Sequence, residues 1–279
     1  MKYLFIFFLG VSLAFGVQDI SDRKTLGAID RSLPTPRQLK IIGGDEAKPH
    51  SFPFMVGLII NSNSFCGGTL ISENYVLTGA HCAVVIKTVH VLLGAHNISA
   101  EEPTQVTIKG EKVTVHPKFD IETFQNDIAL IKLSQPVNPT ESIQIVNLPT
   151  RSTKDNNYYA ASVCSLGWGL TEDKSRSSID DISQVLRFVN VTILDIYSCG
   201  EYFNTESKEF INESNFCVSG HKNKGTCSGD SGGPLMHEDV QIGIVSIGST
   251  FCEMCYPSVF TNIAKFLDWI QENSDVIIS

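Results

Sequence analysis

The chain has 279 residues, with 21 basic against 30 acidic side chains and a formal net charge of −9, so it can bury a large core as one big β domain or two smaller ones. Six of the basic and three of the acidic residues fall in residues 1 to 40, which leaves residues 41 to 279 with 15 basic and 27 acidic. So acidic a surface argues against nucleic acid and anionic membranes as partners.

In residues 1 to 16, Lys2 is followed by the apolar run YLFIFFLGVSLAF, and Ala14, Phe15 and Gly16 stand at the end. The run is too short for a membrane span and has the pattern of a secretory signal. Residues 17 to 40 are polar, hold Pro34 and Pro36, and read as unstructured. From Ile41 onward, short apolar or alternating runs recur between turn signals: FPFMVGLII, FCGGTLIS, VHVLLGAH, TQVTIKG, EKVTVH, DIALIKL, LRFVNVTIL and IGIVSIG. This is the all-β pattern of a sandwich or a pair of barrels, not strands alternating with long helices. The boundary between two β halves is placed near residue 150, and the polar stretch Thr171 to Ser183 reads as a long exposed loop. Only IAKFLDWIQEN, residues 263 to 273, predicts a helix, with Ile263, Phe266, Leu267 and Ile270 on one face.

The eight cysteines fit an exported chain, where disulfides persist. Cys252 and Cys255 form the only close pair, nothing beside them completes a metal set, and there is no phosphate loop, so no cofactor is implied. Eight cysteines allow 105 pairings, and the sequence does not choose among them.

The stretch KGTCSGDSGGPL, Lys224 to Leu235, carries the chemistry. Gly229-Asp230-Ser231-Gly232-Gly233 fits a strained nucleophile elbow, though Gly-Asp-Ser-Gly is also ordinary turn chemistry. An α/β-hydrolase needs its acid and then its histidine after the serine. The histidines are His50, His81, His90, His96, His116, His221 and His237; only His237 follows Ser231, six residues on. That order rules the elbow out. A base upstream remains: His81 in VLTGAHC, beside Cys82, with Asp127 opening DIALIKL. Alone, His81 is as readily structural, and Asp127 reads as a strand-end cap. Together, the order His, Asp, Ser on an exported β-rich chain matches one convergent form of the catalytic triad.

Ile41-Ile42-Gly43-Gly44, LTGAHC, NDIALIKL, GWG at 167 to 169, CSGDSGGPL and PSVFTNIAKFLDWI resemble, in order, the chymotrypsin-like serine proteases, and most of all the secreted chymotrypsins of insects. The resemblance covers residues 41 to 279 and implies two antiparallel six-stranded β-barrels, about 41–150 and 151–262, a C-terminal α-helix, and an active site in the cleft between the barrels. It implies that Ser231 attacks the scissile carbonyl, His81 moves the proton and Asp127 holds the imidazole. The N–H groups of Gly229 and Ser231 would face the oxyanion. Ser246 resembles the serine supporting the aspartate, and Ser246 to Gly248 the edge that pairs with an extended substrate. Gly79 is a variation beside the histidine.

The resemblance also implies a zymogen. A trypsin-like protease would cut after Lys40, and the new ammonium of Ile41 would pair with Asp230. Residues 17 to 40 hold no cysteine to keep the released peptide attached. At the base of the primary pocket stands Gly225, where an aspartate would favour Arg or Lys. Gly248 admits a large group, and Ser258 stands where glycine is common. An uncharged pocket is implied, for Phe, Tyr or Leu, with Lys222 and Lys224 as solvated loop residues; the alternatives are an elastase-like pocket for a smaller residue, a collagenolytic specificity, or a non-catalytic binding relative. The implied disulfides are Cys66–Cys82, Cys199–Cys217 and Cys227–Cys252; Cys164 and Cys255 are left over, either paired together, free or exchanged. Asn97, Asn190 and Asn212 open glycosylation sequons. Ala95 stands where the calcium loop of some relatives has a carboxylate, so no metal is expected. The expected partners are a protein or peptide substrate, the activating protease and protein protease inhibitors, with the chain itself a monomer.

Overall fold

A computed structural model describes residues 44–171, 180–202, 211–220, 225–248 and 256–279. Six strands close into a barrel: β2 (Met55–Ile60), β3 (Ser64–Leu70), β4 (Tyr75–Thr78), β5 (Val89–Leu93), β6 (Val106–Val115) and β7 (Ala129–Leu133). All pairings are antiparallel, in the order β2-β3-β4-β7-β6-β5, and β5 returns to β2. Alternate residues of a strand face one side, so Val56, Leu58 and Ile60 of β2 point inward, where Val91, Leu93, Ile108, Ile131 and Leu133 meet them. Fully burying such a side chain contributes roughly 1.5–3 kcal/mol.

The runs TQVTIKG and EKVTVH, expected as separate strands, are one strand. β6 continues through a bulge at which its register on β7 shifts between Gly110 and Lys112. The turn signal at Gly110 has a packing cause instead, since a Cβ there would lie 2.5 Å from Val89 Cγ1.

The second sheet has seven strands in the order β1-β9-β8-β11-β12-β13-β10. They are β1 (Asp45–Glu46), β8 (Ser162–Gly167), β9 (Arg187–Thr192), β10 (Asn215–Val218), β11 (Pro234–His237), β12 (Val240–Ile247) and β13 (Ser258–Asn262). The six strands from β8 onward curl into a second barrel whose seam is a single bridge, Ile193 to Val218. Leu194 N–H donates to Cys217 O at 2.8 Å and Ser219 N–H to Thr192 O at 2.9 Å across it. The seventh strand, β1, comes from the N-terminal side of the first barrel and pairs with β9. Val163, Val189, Val191, Phe216, Leu235, Ile242 and Phe260 fill the interior.

A third core joins the two. Leu77, Ile128 and Leu130 of the first barrel pack with Trp168, Met236 and Ile244 of the second, and with Ile263, Phe266 and Ile270 at the C-terminal end. Trp168 is fully buried, and its indole N–H donates to His96 O at 3.0 Å. The helix expected over 263–273 starts as a 3-10 turn, Ile263–Phe266, capped by Asn262 Oδ1 on the N–H of Ala264, and continues as an α-helix, Leu267–Asn273. Two shorter helices, Ala80–Ala83 (α1) and Ile196–Gly200 (α2), follow β4 and β9. Among the described residues no helix is long and apolar enough to cross a membrane.

Disulfides join Cys66 to Cys82 and Cys199 to Cys217, tying α1 to β3 and α2 to β10. Cys227 is also disulfide-bonded; Cys252, its expected partner, and Cys255 lie outside the described residues. Cys164 is free, and burial pushes its thiol up to about 11. In the loop after β5, Glu102 turns inward and accepts the N–H groups of His96 at 2.6 Å and Asn97 at 3.1 Å. A carboxylate of the loop itself thus organises its backbone.

Candidate active site

β4 ends in Thr78, and the chain turns through Gly79 into α1, which places His81 at the boundary of the two barrels. Asp127 directly precedes β7 and is fully buried. Its Oδ1 accepts the backbone N–H of His81 at 2.9 Å, and its Oδ2 lies 2.7 Å from His81 Nδ1. Asp127 has only acceptors when ionised, so the short contact makes Nδ1 the protonated nitrogen and leaves Nε2 with a lone pair. A third bond comes from β12, Ser246 Oγ donating to Asp127 Oδ2 at 2.6 Å. A fourth fixes the backbone: Thr261 Oγ1 donates to Asp127 O at 2.8 Å. The imidazole retains 15% exposure. Phe124, whose φ of 54° is in the left-handed region, sets its ring 5.6 Å from the imidazole. A Cβ on Gly79 would lie 2.9 Å from His81 Nδ1, so only a glycine leaves the imidazole room there.

The segment from Cys227 to β11 folds tightly. Asp230 N–H donates to Cys227 O and Gly233 N–H to Asp230 O, at 3.0 and 2.9 Å. Gly229 and Gly232 have φ of 99° and 77°, angles that a side chain strongly disfavours. At Gly232 space forbids a side chain as well, since a Cβ would fall 2.2 Å from Thr78 Oγ1. Ser231 O accepts the N–H of Gly67 at 2.8 Å, and Gly232 N–H donates to Val245 O at 3.0 Å. These bonds pin Ser231 between β3 of one barrel and β12 of the other. Among the described residues the N–H groups of Gly229 and Ser231 donate to no protein acceptor. Ser231 Oγ likewise has no hydrogen bond there, while His81 Nε2 lies 3.5 Å from Cys82 Sγ. Where a serine and a histidine act together as nucleophile and base, they are commonly not hydrogen-bonded to each other before substrate binds.

Asp230 is buried. Gly169 N–H donates to its Oδ1 at 2.8 Å and Cys227 N–H to its Oδ2 at 2.9 Å. Burial raises its carboxyl to about 6 against the pull of these two donors. Among the described residues no cation faces it.

Gly225, Gly248 and Ser258 come together. A Cβ on Gly225 would meet Ser258 Oγ at 3.8 Å, and one on Gly248 would meet Thr226 Oγ1 at 3.9 Å. Lys40, Ile41, Lys222 and Lys224 lie outside the described residues. Asn190 is exposed on β9; Asn97 and Asn212 each turn the side-chain oxygen onto the hydroxyl of the serine two residues on, at 2.8 and 2.7 Å. Cys66, His81 and Cys82 lie close enough to suggest a metal set, but the two cysteines are spent in their disulfide. A groove of about 820 Å³ on the second sheet, near Tyr159, Tyr197 and Asp195, holds none of these residues.

The contributions of Thr226, Thr261 and Phe124 were not legible in the sequence. Thr261 is 134 positions from the aspartate it supports. The left-handed turn at Phe124 lies in a segment whose only local cue is Asp120, which caps the N–H groups of Glu122 and Thr123.

Comparison with known proteins agrees with this geometry. The family model described as Trypsin matches residues 41–270. A chymotrypsin of Phaedon cochleariae is 36% identical over 272 residues, covering 95% of each chain. The brachyurin of Leptuca pugilator is 40% identical over 237 residues, 85% of this chain and 99% of that one. Granzyme B(G,H) of Mus musculus is 38% identical over 239 residues, 84% of this chain and 90% of that one. Among solved structures, HL collagenase superposes with a TM-score of 0.75 at 29% identity, over 85% of this chain and all of that one. With the family match and these relatives spanning both barrels and the cleft, the chain belongs to the trypsin family, as a chymotrypsin-like serine endopeptidase.

Proposed function

We propose that this protein is a secreted endopeptidase, made as a zymogen, that cuts peptide bonds through an acyl-enzyme on Ser231. Ser231 Oγ attacks the scissile carbonyl, His81 Nε2 takes the proton and returns it to the leaving amine, and Asp127 stabilises the imidazolium. The observation that carries this reading is the fully buried Asp127, with both oxygens bonded to His81 and a second donor from Ser246. The unspent N–H groups of Gly229 and Ser231 suit the oxyanion, where losing one donor typically costs about 2.7–4 kcal/mol.

Activation follows from cleavage after Lys40. Residues just downstream are anchored: Arg187 Nη2 donates to Gly44 O at 3.3 Å, Ala47 N–H to Leu186 O at 2.9 Å, and Glu46 lies 3.2 Å from His96 Nε2. Ile41, three residues before Gly44, carries the new ammonium to the buried carboxylate of Asp230. Residues 1 to 16 direct export, and Asn97, Asn190 and Asn212 carry glycans. With glycines at 225 and 248 the primary pocket is uncharged and takes Phe, Tyr or Leu before the cut bond. The likeness to HL collagenase favours collagen as a second substrate.

The test is a peptide panel varied only before the cut bond (Phe, Leu, Ala, Arg, Glu), after limited tryptic cleavage, with Ser231→Ala alongside. Cleavage after Phe or Leu that vanishes in the variant supports the reading. Silence on every peptide, with an N-terminus shown to begin at Ile41, refutes it.

A further inference from the structure

Gly79 is the variation in the segment LTGAHC, and its backbone does not require a glycine. Its φ of −78° and ψ of 145° are extended, a conformation open to any residue. What a side chain there would displace is the base. A Cβ on Gly79 would lie 2.9 Å from both His81 Nδ1 and His81 Cε1, and 3.4 Å from Asp127 Oδ1. Atoms in contact settle about 3.5–4.0 Å apart, so an alanine would drive the ring about 0.6–1 Å from where it lies. The imidazole thus occupies space that a side chain at position 79 would take.

The far end of the ring shows the consequence. Nδ1 keeps its bond to Asp127 at 2.7 Å, while Nε2 faces Cys82 Sγ at 3.5 Å. With the proton on Nδ1 and Cys82 in its disulfide, neither Nε2 nor Sγ carries a hydrogen, so this contact is packing alone. Among the described residues Nε2 accepts no bond from Ser231 Oγ. The two segments are nevertheless adjacent, for a Cβ on Gly232, next to Ser231, would fall 3.1 Å from Gly79 N.

We infer that Gly79 is a positioning residue for the base: its empty side-chain space gives the imidazole a withdrawn seat, from which the ring pivots about its bond to Asp127 to bring Nε2 onto Ser231 Oγ. The inference rests on the proposed reading that His81 and Ser231 act as base and nucleophile. In the withdrawn seat the serine keeps its proton and is a weak nucleophile, so the resting enzyme is slow to react until a bound substrate favours the forward position. A protein competent in only a fraction of its molecules loses apparent reactivity by that fraction, and a change that preorganises it removes the loss. With the forward position held by about a tenth of the molecules, filling the space at 79 raises the reactivity of the free enzyme about tenfold.

The test compares the protein cleaved at Lys40 with its Gly79→Ala variant, each with and without Ser231→Ala. The nitrogen NMR shift of His81 Nε2, taken on its high-pH plateau, reports whether Ser231 donates to that atom. Ser231→Ala should leave the shift unmoved when residue 79 is glycine and should move it in the Gly79→Ala background. A small fluorophosphonate with no peptide portion should label Ser231 about tenfold faster in Gly79→Ala. Melting temperature should hold or rise, since alanine suits the backbone and restricts the unfolded chain. A glycine that served only the fold would change the melting temperature and neither of the other readouts. A shift that responds to Ser231→Ala while Gly79 is in place shows the ring already on the serine and overturns the inference, with no change at residue 79 needed. A shift still indifferent in Gly79→Ala, or labelling that is no faster, overturns it too. If the probe labels neither form of the cleaved protein, the reading of Ser231 as nucleophile fails, while the shift still decides where the imidazole sits.

Discussion

Replacing Asp230 with Asn in the uncleaved chain tests how a buried carboxylate can hold a zymogen in reserve. Burial raises the carboxyl of Asp230 from an ordinary 3.8 to about 6, while the N–H groups of Cys227 and Gly169 hold it lower than burial alone would. A raised value means that the folded chain binds this proton more tightly than the unfolded chain does. The group's stabilising contribution is therefore complete below about pH 4 and lost as pH rises through about 6. Each tenfold in proton affinity is about 1.4 kcal/mol, so the loss is about 3 kcal/mol. Asparagine does not titrate. In urea melts of uncleaved Ser231→Ala protein, the unfolding free energy of Asp230→Asn relative to Asp230 should climb by about 3 kcal/mol between pH 4 and pH 7. After cleavage at Lys40, the Ile41 ammonium should abolish most of that climb, and Asp230→Asn should leave the cleaved protein inactive. A difference that stays flat from pH 4 to pH 7 in the uncleaved chain would refute the argument from burial.

Asp127→Asn should lower kcat by about 10⁴-fold with little change in melting temperature, the size that this change has in the family's type enzyme, because the imidazole is held in the wrong tautomer. Ser246→Ala removes a bond of 2.6 Å to the same carboxylate and should cost about 1.5–3 kcal/mol in thermal or urea unfolding; an unchanged melting curve would show that the bond contributes nothing. Cys164, with its thiol pushed up to about 11 by burial, should escape a thiol reagent at pH 8 until urea unfolds the chain, as read by mass spectrometry. Rapid labelling of the folded protein would contradict that burial.

The sequence by itself determined the β class and the C-terminal helix, and it singled out His81 and Asp127, which the fold brings within 2.7 Å of each other. Strand-length runs such as MVGLII alternate or stay apolar because one face or both must leave water, and that periodicity is local. The order His81, Asp127, Ser231 excluded one hydrolase architecture on chain order alone. Short strands such as Ser162–Gly167 and Pro234–His237 left little signal, being too brief for alternation to stand out and interrupted by Ser, Pro and Gly. TQVTIKG and EKVTVH merge into one strand through a bulge beside Gly110, where Val89 and Ile131 leave no room for a side chain. β1 joined the second sheet by pairing with Phe188 and Arg187, partners too far along the chain for any local pattern to report. Only the tertiary structure decided that Thr226 and Ser258, 32 positions apart, share a hydrogen bond, and that Thr261 supports Asp127. Periodicity and motif spacing report on neighbours within a few residues, whereas the polar partners of a buried group are those that the closure of two barrels brings within reach.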